Sequence, residues 1–374
     1  MRNILLITTV YRTGEKLYPI IPKLSEEYNI DVLHMYQMSD KTVFSMEDNS
    51  RQLFDKKYLS YIRNKYDGPS YLKDPYEDTK LSVEFISNFE IVVKENNYCL
   101  VVWDNNTTIK GGGMSNFYDI FLKYGIKVLG SPHGNKEYKK HRLHKRMNRI
   151  YESSFVFGEK EKEKFIKYSK GRFSDKFLPA GIPANDALIN YERKNDYILV
   201  IPNYTKPNDS KSNFQPFTKN LFIDCGLLKL KDKYNCRIVI KEKQNVFYQN
   251  SYSISNSFKQ DGVEVIGFCE DDNKLIAGAK MVIGSPSTLS FKSIQLGIPT
   301  VIFKGYGAIG NFDDYPGLIV PSCESVLESI RMQMNIGRFD DYISRTLSGG
   351  LDFKSIELYM GYIDKILTGE ILCH

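Results

Sequence analysis

The stretch "MVIGSPSTLSFKSIQLGIPTVIF", residues 281–303, carries the pattern on which the whole fold turns. Two apolar runs of strand length, "MVIG" and "PTVIF", bracket a segment that reads as a helix. Strand, helix and strand in so short a span are the unit of a parallel sheet, because parallel neighbours need a covering crossover. Between the first strand and the helix stand Gly284, Ser285, Pro286, Ser287 and Thr288. Gly and Pro make turns, and Ser or Thr caps helices. The same residues place hydroxyls and free N–H groups at a helix start, which is also where phosphate binds. Taken alone, the turn leaves both readings open.

Outward from this stretch the alternation continues. "YILVIPN", "CRIVIKE" and "VEVIGF" are strands upstream of it, with "TKNLFIDCGLLKLKDKY" and "DNKLIAGA" as helices. An earlier series runs through "NILLITTV", "IDVLHMY", "CLVVWD", "IKVLGSPHG" and "SFVFGEKEKEKFIKYS". β-Branched runs alternating with helical patterns predict parallel sheets covered on both faces. The expected fold is therefore α/β, with two doubly wound Rossmann-like domains. The predicted divisions are residues 1–193, with an irregular insertion at 37–77, and 196–345. A last amphipathic helix is expected within 346–374.

Composition sets the bounds. A chain of 374 residues with 42% hydrophobic and 26% charged residues is ordinary for a globular protein of two domains. Its longest apolar runs are strand-sized, and the start, "MRNILLITTVYRTGEK", reads as a first strand rather than a signal peptide. Six scattered cysteines without a CxxC pair predict free thiols and a reducing cytoplasm. The net charge of +6 is uneven: "NKEYKKHRLHKRMNR", residues 135–149, is dense in Lys and Arg with a single Glu. That field suits a phosphorylated acceptor, an anionic membrane surface at the inner face of the cell membrane, or nucleic acid. Confinement of the basic charge to one segment leans against nucleic acid.

In open parallel sheets, ligands sit outside the carboxyl ends of strands. The polar turns at those ends are Thr8 to Gly14, Asp104 to Thr108, Ser131 to Asn135, Asn203 to Thr205 and Ser285 to Thr288. His133 directly follows a strand and suits a general base. Ser285, Ser287 and Thr288 are the candidate phosphate site. Glu270 can bind ribose hydroxyls, although "EDDN" also spells a helix cap. Asp271-Asp272 and Asp313-Asp314 are adjacent rather than alternating, so no DxD chelate stands at a strand end, and neither metal nor cofactor is expected.

The combination of "SPHG" with a basic helix, "LPAGIPANDAL", "YILVIPNYT" and "STLSFKSIQLGIPTVIF" resembles the GT-B superfamily of glycosyltransferases. Within it, the pattern is most similar to the bacterial CDP-glycerol glycerophosphotransferase and capsular polysaccharide transferase group. The resemblance implies two domains facing each other across a cleft, a helix at 346–374 that packs back toward the first domain, and His133 as the base. It matches Gly181, Pro183, Asn185 and Asp186 to the stretch before the second domain, and Ser285 to Thr288 to the donor-phosphate turn. Two spellings depart from the group. Lys241 and Glu242 follow "RIVI" where relatives carry His-Pro, and the acidic "DYSS" spelling is "GSPSTLS" here. These departures favour a sugar over a polyol phosphate, with Lys241 supplying the positive charge.

The expected activity is transfer of a sugar from a nucleotide-activated donor to a cell-surface glycan or lipid-linked precursor. Asn203, Lys241 and Glu270 are the further donor candidates. Thr13, Gly14, Asp104, Lys136, Lys139, Lys140 and Arg142 are the acceptor candidates. Transfer of a polyol phosphate from a CDP-polyol is the alternative. A non-hydrolysing UDP-sugar 2-epimerase shares the fold and needs no acceptor. A non-catalytic protein binding an anionic polymer or membrane through residues 135–149 is the rival from another class.

Overall fold

A computed structural model describes residues 1–8, 16–34, 51–52, 83–103, 114–132, 153–171, 174–202, 226–241, 263–266, 271–305, 309–320 and 322–371. The described residues form two units. One runs to Asp186 and resumes at Arg345, and the other comprises Ala187–Ser344.

The first unit holds β1 (Arg2–Thr8), β2 (Tyr28–His34), β3 (Arg51–Gln52), β4 (Tyr98–Trp103), β5 (Lys127–Gly130), β6 (Ser153–Val156) and β7 (Phe177–Pro179). They make a seven-stranded sheet in the order β3-β2-β1-β4-β5-β6-β7, and every pair is parallel. Its helices are α1 (Ile21–Leu24), α2 (Val83–Asn96), α3 (Met114–Lys123) and α4 (Glu159–Ser169). Side chains alternate along each strand. Leu5, Ile7, Val101, Trp103 and Val128 face one way, onto Phe89 of α2 and Phe117 and Phe121 of α3. Ile4, Leu6, Leu100, Val102 and Leu129 face the other way. That second face is closed by Leu17, Tyr18, Ile20, Ile21 and Leu24 together with residues 359–366 near the end of the chain. β3 lies inside the segment expected to be irregular: Arg51 and Gln52 pair with Asp31 and Val32.

The second unit holds β8 (Tyr197–Ile201), β9 (Arg237–Lys241), β10 (Val263–Ile266), β11 (Ala279–Gly284), β12 (Thr300–Phe303) and β13 (Leu318–Ile319). Their order is β10-β9-β8-β11-β12-β13, again all parallel. Its helices are α5 (Leu227–Tyr234), α6 (Asp272–Gly278), α7 (Thr288–Gln295), α8 (Cys323–Ile336) and α9 (Asp340–Thr346), the last running across the return to the first unit. α5 and α8 cover one face through Leu227, Leu230, Val326 and Ile330. α6 and α7 cover the other through Leu275, Ile276 and the partly buried Leu289. Gln333 of α8 completes the start of β12. Its side-chain oxygen accepts the Thr300 N–H at 2.7 Å, and its amide donates to the Thr300 carbonyl at 2.9 Å.

After α9, the chain enters α10 (Ser355–Thr368). Tyr359, Met360, Ile363 and Ile366 of this helix join the core with Ile4, Leu100 and Phe155. Phe155 and Tyr359 stack at 3.8 Å. Lys127 Nζ donates to the Ile366 carbonyl at 2.6 Å, and Asp186 Oδ2 accepts the Ile356 N–H at 2.7 Å, so both ends of α10 are tied down. A 3-10 helix, Pro183–Asn190, carries the outward crossing, which falls at Asp186 and Ala187. Residues 191–196 then belong to the second unit. The Tyr191 hydroxyl donates to Asp271 at 2.8 Å, and the N–H groups of Lys194 and Asp196 reach the carbonyls of Ala277 and Gly278. Among the described residues, no helix is long and apolar enough to cross a membrane.

Candidate functional site

In each sheet the chain starts near the middle, builds outward to one side, and returns to continue on the other. The point of return lies between β1 and β4 in the first unit and between β8 and β11 in the second. At such a point the loops from the two neighbouring strands diverge and leave a crevice at their carboxyl ends.

The opening stretch of sequence forms that point in the second unit. Gly284 ends β11 opposite Ile201, the last residue of β8. A Cβ on Gly284 would meet the Ile201 carbonyl oxygen at 2.5 Å, so only glycine lets the strand ends close here. Ser285 is fully buried. Its N–H donates to the Ile201 carbonyl at 3.1 Å, and its hydroxyl reaches the same oxygen at 3.4 Å. Ser285 therefore fastens the turn across the two strands. Ser287 is the N-cap of α7, its Oγ accepting the Leu289 N–H at 3.3 Å, which leaves its own O–H free to donate elsewhere. Thr288 follows as the first helical residue and is half-buried.

Ser290, on the first turn of α7, was not singled out by the sequence. It is 1% exposed, and its Oγ has no hydrogen-bond partner. A buried hydroxyl without a partner calls for an explanation, and a ligand or water at the turn is one. In the sequence, Ser290 sits within the helical pattern beside Phe291, where nothing distinguishes it from a packing residue.

Lys241 closes β9. It pairs with Ile266 of β10 and follows Ile240, which pairs with Val200, so Gly284, Ile201, Lys241 and Ile266 form one row across four strands. Its ammonium lies 2.9 Å from Asp272 Oδ1, on the first turn of α6. That oxygen is in contact with the charge but is not aligned for a hydrogen bond. Asp271 is the N-cap of α6: one carboxylate oxygen accepts the Lys274 N–H at 3.0 Å, and the other accepts the Tyr191 hydroxyl. The adjacent acids are thus divided between a helix cap and a buried lysine. Among the described residues, no group of three or more His, Cys, Asp or Glu side chains gathers to hold a metal.

Of the other sequence candidates, His133, Asn203, Glu270, Thr13, Gly14, Asp104, Lys136, Lys139, Lys140 and Arg142 lie outside the described residues. The strands they follow are described. Thr13 and Gly14 come after β1 and Asp104 after β4, the pair at the first unit's point of return. Asn203 comes after β8 and Glu270 after β10. The two residues leading to His133 are fixed in place. Ser131 donates its N–H to the Trp103 carbonyl at 2.7 Å, and its hydroxyl lies 3.4 Å from that of Tyr359, while Pro132 is buried.

No protein-family model matches this sequence, and comparison with curated proteins finds no match. Solved structures do match, over nearly the whole chain. An S. aureus MnaA–UDP co-structure superposes with a TM-score of 0.65 at 14% identity, covering 98% of this chain and 97% of the other. UDP-GlcNAc 2-epimerase from Neisseria meningitidis bound to UDP-GlcNAc gives 0.61 at 14% identity, covering 97% and 100%. A glycosyltransferase from Rickettsia africae gives 0.59 at 12% identity, covering 99% and 98%. Likeness at this identity is likeness of fold. The chain has the α/β fold of the GT-B class, built from two doubly wound Rossmann-like units.

Proposed function

We propose that this chain is a metal-independent glycosyltransferase that moves a sugar from a nucleoside-diphosphate donor to a hydroxyl of a cell-surface glycan precursor. The observation that carries the reading is the turn from Gly284 to Thr288. It lies at the point of return of the second sheet and begins an eight-residue helix carrying hydroxyls at Ser287, Thr288 and Ser290. The Leu289 N–H goes to Ser287 Oγ and the Ser290 N–H to the Ser287 carbonyl, so the turn offers an anion its hydroxyls and the positive end of the helix dipole. In the transfer step, the acceptor oxygen bonds to the anomeric carbon. The bond from that carbon to the β-phosphate oxygen breaks, and the nucleoside diphosphate leaves with the electron pair. Donors fixed beforehand at the turn would stabilise the charge that grows on the leaving phosphate. His133 would take the proton of the acceptor hydroxyl. Lys241, Asn203 and Glu270 would complete the donor subsite. Thr13, Gly14, Asp104 and the basic residues Lys136, Lys139, Lys140 and Arg142 would face the acceptor. Uracil is the first donor base to test, since several structures similar to this one are complexes with UDP or UDP-GlcNAc.

A second reading is 2-epimerisation of a UDP-sugar. It is favoured by the likeness of solved UDP-GlcNAc 2-epimerases over 97–98% of this chain. One experiment addresses both. Thermal unfolding is followed with UDP-, CDP-, GDP- and ADP-linked donors, CDP-glycerol included, and the stabilising donor is then incubated with and without a glycan acceptor. Binding to the folded state alone raises the unfolding temperature. Nucleoside diphosphate released only with acceptor supports transfer, and a C2-inverted sugar formed without acceptor supports the epimerase. Absence of stabilisation by every donor would sink both.

A further inference from the structure

Asp272 stands where it can decide which form of the nucleotide the second unit prefers. Lys241 lies in the same row as Gly284, two strands away, which sets their Cα atoms about 10 Å apart. Its side chain shares a face with Val239, two residues earlier, and Val239 packs with Leu275, Ile276 and Leu289. The ammonium is therefore on the same side of the sheet as the first turn of α7. The lysine side chain is 7% exposed and the aspartate 31% exposed. A buried cation matched by one carboxylate presents little net charge, and removing either partner leaves the other uncompensated.

We infer that Asp272 is a positioning residue that holds Lys241 at the donor subsite and cancels most of its charge, so that the site grips a UDP-sugar without over-gripping free UDP. The inference rests on the nucleotide-sugar reading above. With its terminal phosphate ionised, UDP carries about three negative charges near neutral pH, and a UDP-sugar about two. An uncompensated ammonium beside the diphosphate would favour the trianion, which is the leaving product. Paired with Asp272, the same ammonium orients the diphosphate and lets the product go.

Isothermal titration with UDP, UDP-N-acetylglucosamine and uridine tests this. In Asp272→Asn, UDP should bind roughly three- to tenfold more tightly, the range expected for one partly screened charge at this separation. UDP-N-acetylglucosamine should gain less and uridine nothing. Asp272→Glu should keep the wild-type ratio of the two nucleotides, and Lys241→Met placed in the Asp272→Asn background should abolish the gain. A measurement on the unmodified protein guards against a variant that does not fold. Its UDP to UDP-N-acetylglucosamine affinity ratio should change less than about twofold between roughly 50 and 300 mM salt. Equal gains for both nucleotides in Asp272→Asn, or a ratio that falls steeply with salt in the wild type, would overturn the inference while leaving the nucleotide-sugar reading intact. Failure of the wild type to bind either nucleotide would overturn the reading, and the inference with it.

Discussion

The carboxylate of Asp186 accepts the backbone N–H of Ile356 at 2.7 Å, joining positions 170 residues apart in sequence. Asp186 stands where the chain leaves the first unit, and Ile356 lies on the first turn of the helix formed after it returns. Gly181, at φ +77°, has its missing side chain replaced by the Ser348 carbonyl and the Ser355 hydroxyl. Outward and return crossings are thus clasped together, and the N-terminus of α10 is capped from a distant part of the chain rather than by its own N-cap residue.

That clasp has a pH signature. Burial raises the Asp186 pKa above its ordinary 3.8, partly opposed by hydrogen bonds from the Ile356 and Ser355 N–H groups. A raised carboxyl pKa means the folded state holds a proton that the unfolded state has lost. Between the ordinary value and the raised one, Asp186 therefore costs stability as pH rises. Asp186→Asn keeps an acceptor oxygen for Ile356 and removes the ionisation. The expected outcome is a smaller loss of stability than wild type on raising the pH from about 4 to 6, read from urea unfolding at each pH. Parallel stability curves for the two proteins would contradict it.

Gly284 gives a steric prediction. A methyl group in place of its hydrogen meets the Ile201 carbonyl oxygen at 2.5 Å, and that oxygen is backbone held in β8. Gly284→Ala should separate β8 from β11 and cost on the order of 1–3 kcal/mol, the usual range for overpacking. Loosening the turn that Ser285 fastens should weaken nucleotide binding as well. Urea titration and calorimetry on the same variant test both effects, and an unchanged midpoint would show that the strands move apart freely.

Much of this architecture is readable from residues alone. β-Branched runs such as "YILVI" and "RIVIK" mark central strands because both faces are buried, and the apolar spacing of Tyr359 and Ile363 marks α10. The Ser- and Gly-rich turn is also legible, since caps and tight turns require particular residue types. Short edge strands are not. β3 is two residues long with no apolar run, and β7, Phe177–Pro179, ends in a proline that argues against a strand. Tertiary partnerships are hidden for a different reason. Nothing local joins Lys241 to Asp272, and "GIPAND" spells a turn whether or not its aspartate caps a helix far downstream. Ser290 is invisible as a site residue because only its burial without a partner sets it apart.

The proposed transfer is expected to need no metal, and the placement of two adjacent acids bears on that expectation. Asp271 caps α6 and receives Tyr191, while Asp272 faces Lys241, so neither is arranged to share a cation with the other. Nucleotide affinity and turnover should both survive EDTA. Loss of activity on chelation, restored by manganese or magnesium, would mean that the donor's charge is met by a metal instead of by the α7 turn.

The hydroxyls of that turn can be separated from its role as a cap. Replacing Ser287 and Thr288 by Ala removes the acceptor of the Leu289 N–H, a lost cap worth about 0.5–2 kcal/mol of stability. If capping is its only role, nucleoside diphosphate affinity is unchanged in the folded variant. If the turn holds phosphate, up to two hydroxyl donors to a charged group are lost, worth roughly 1.5–3 kcal/mol each. Nucleoside diphosphate binding should then weaken tenfold or more, while the bare nucleoside binds nearly as before. His133→Ala should behave in the opposite way, keeping donor affinity and losing turnover, because a base acts on the acceptor. Calorimetry with UDP and uridine, alongside product formation, reads both variants. Equal loss of UDP and uridine binding in the Ser287/Thr288 variant would remove the phosphate role and leave the turn as a helix cap, whatever His133 does.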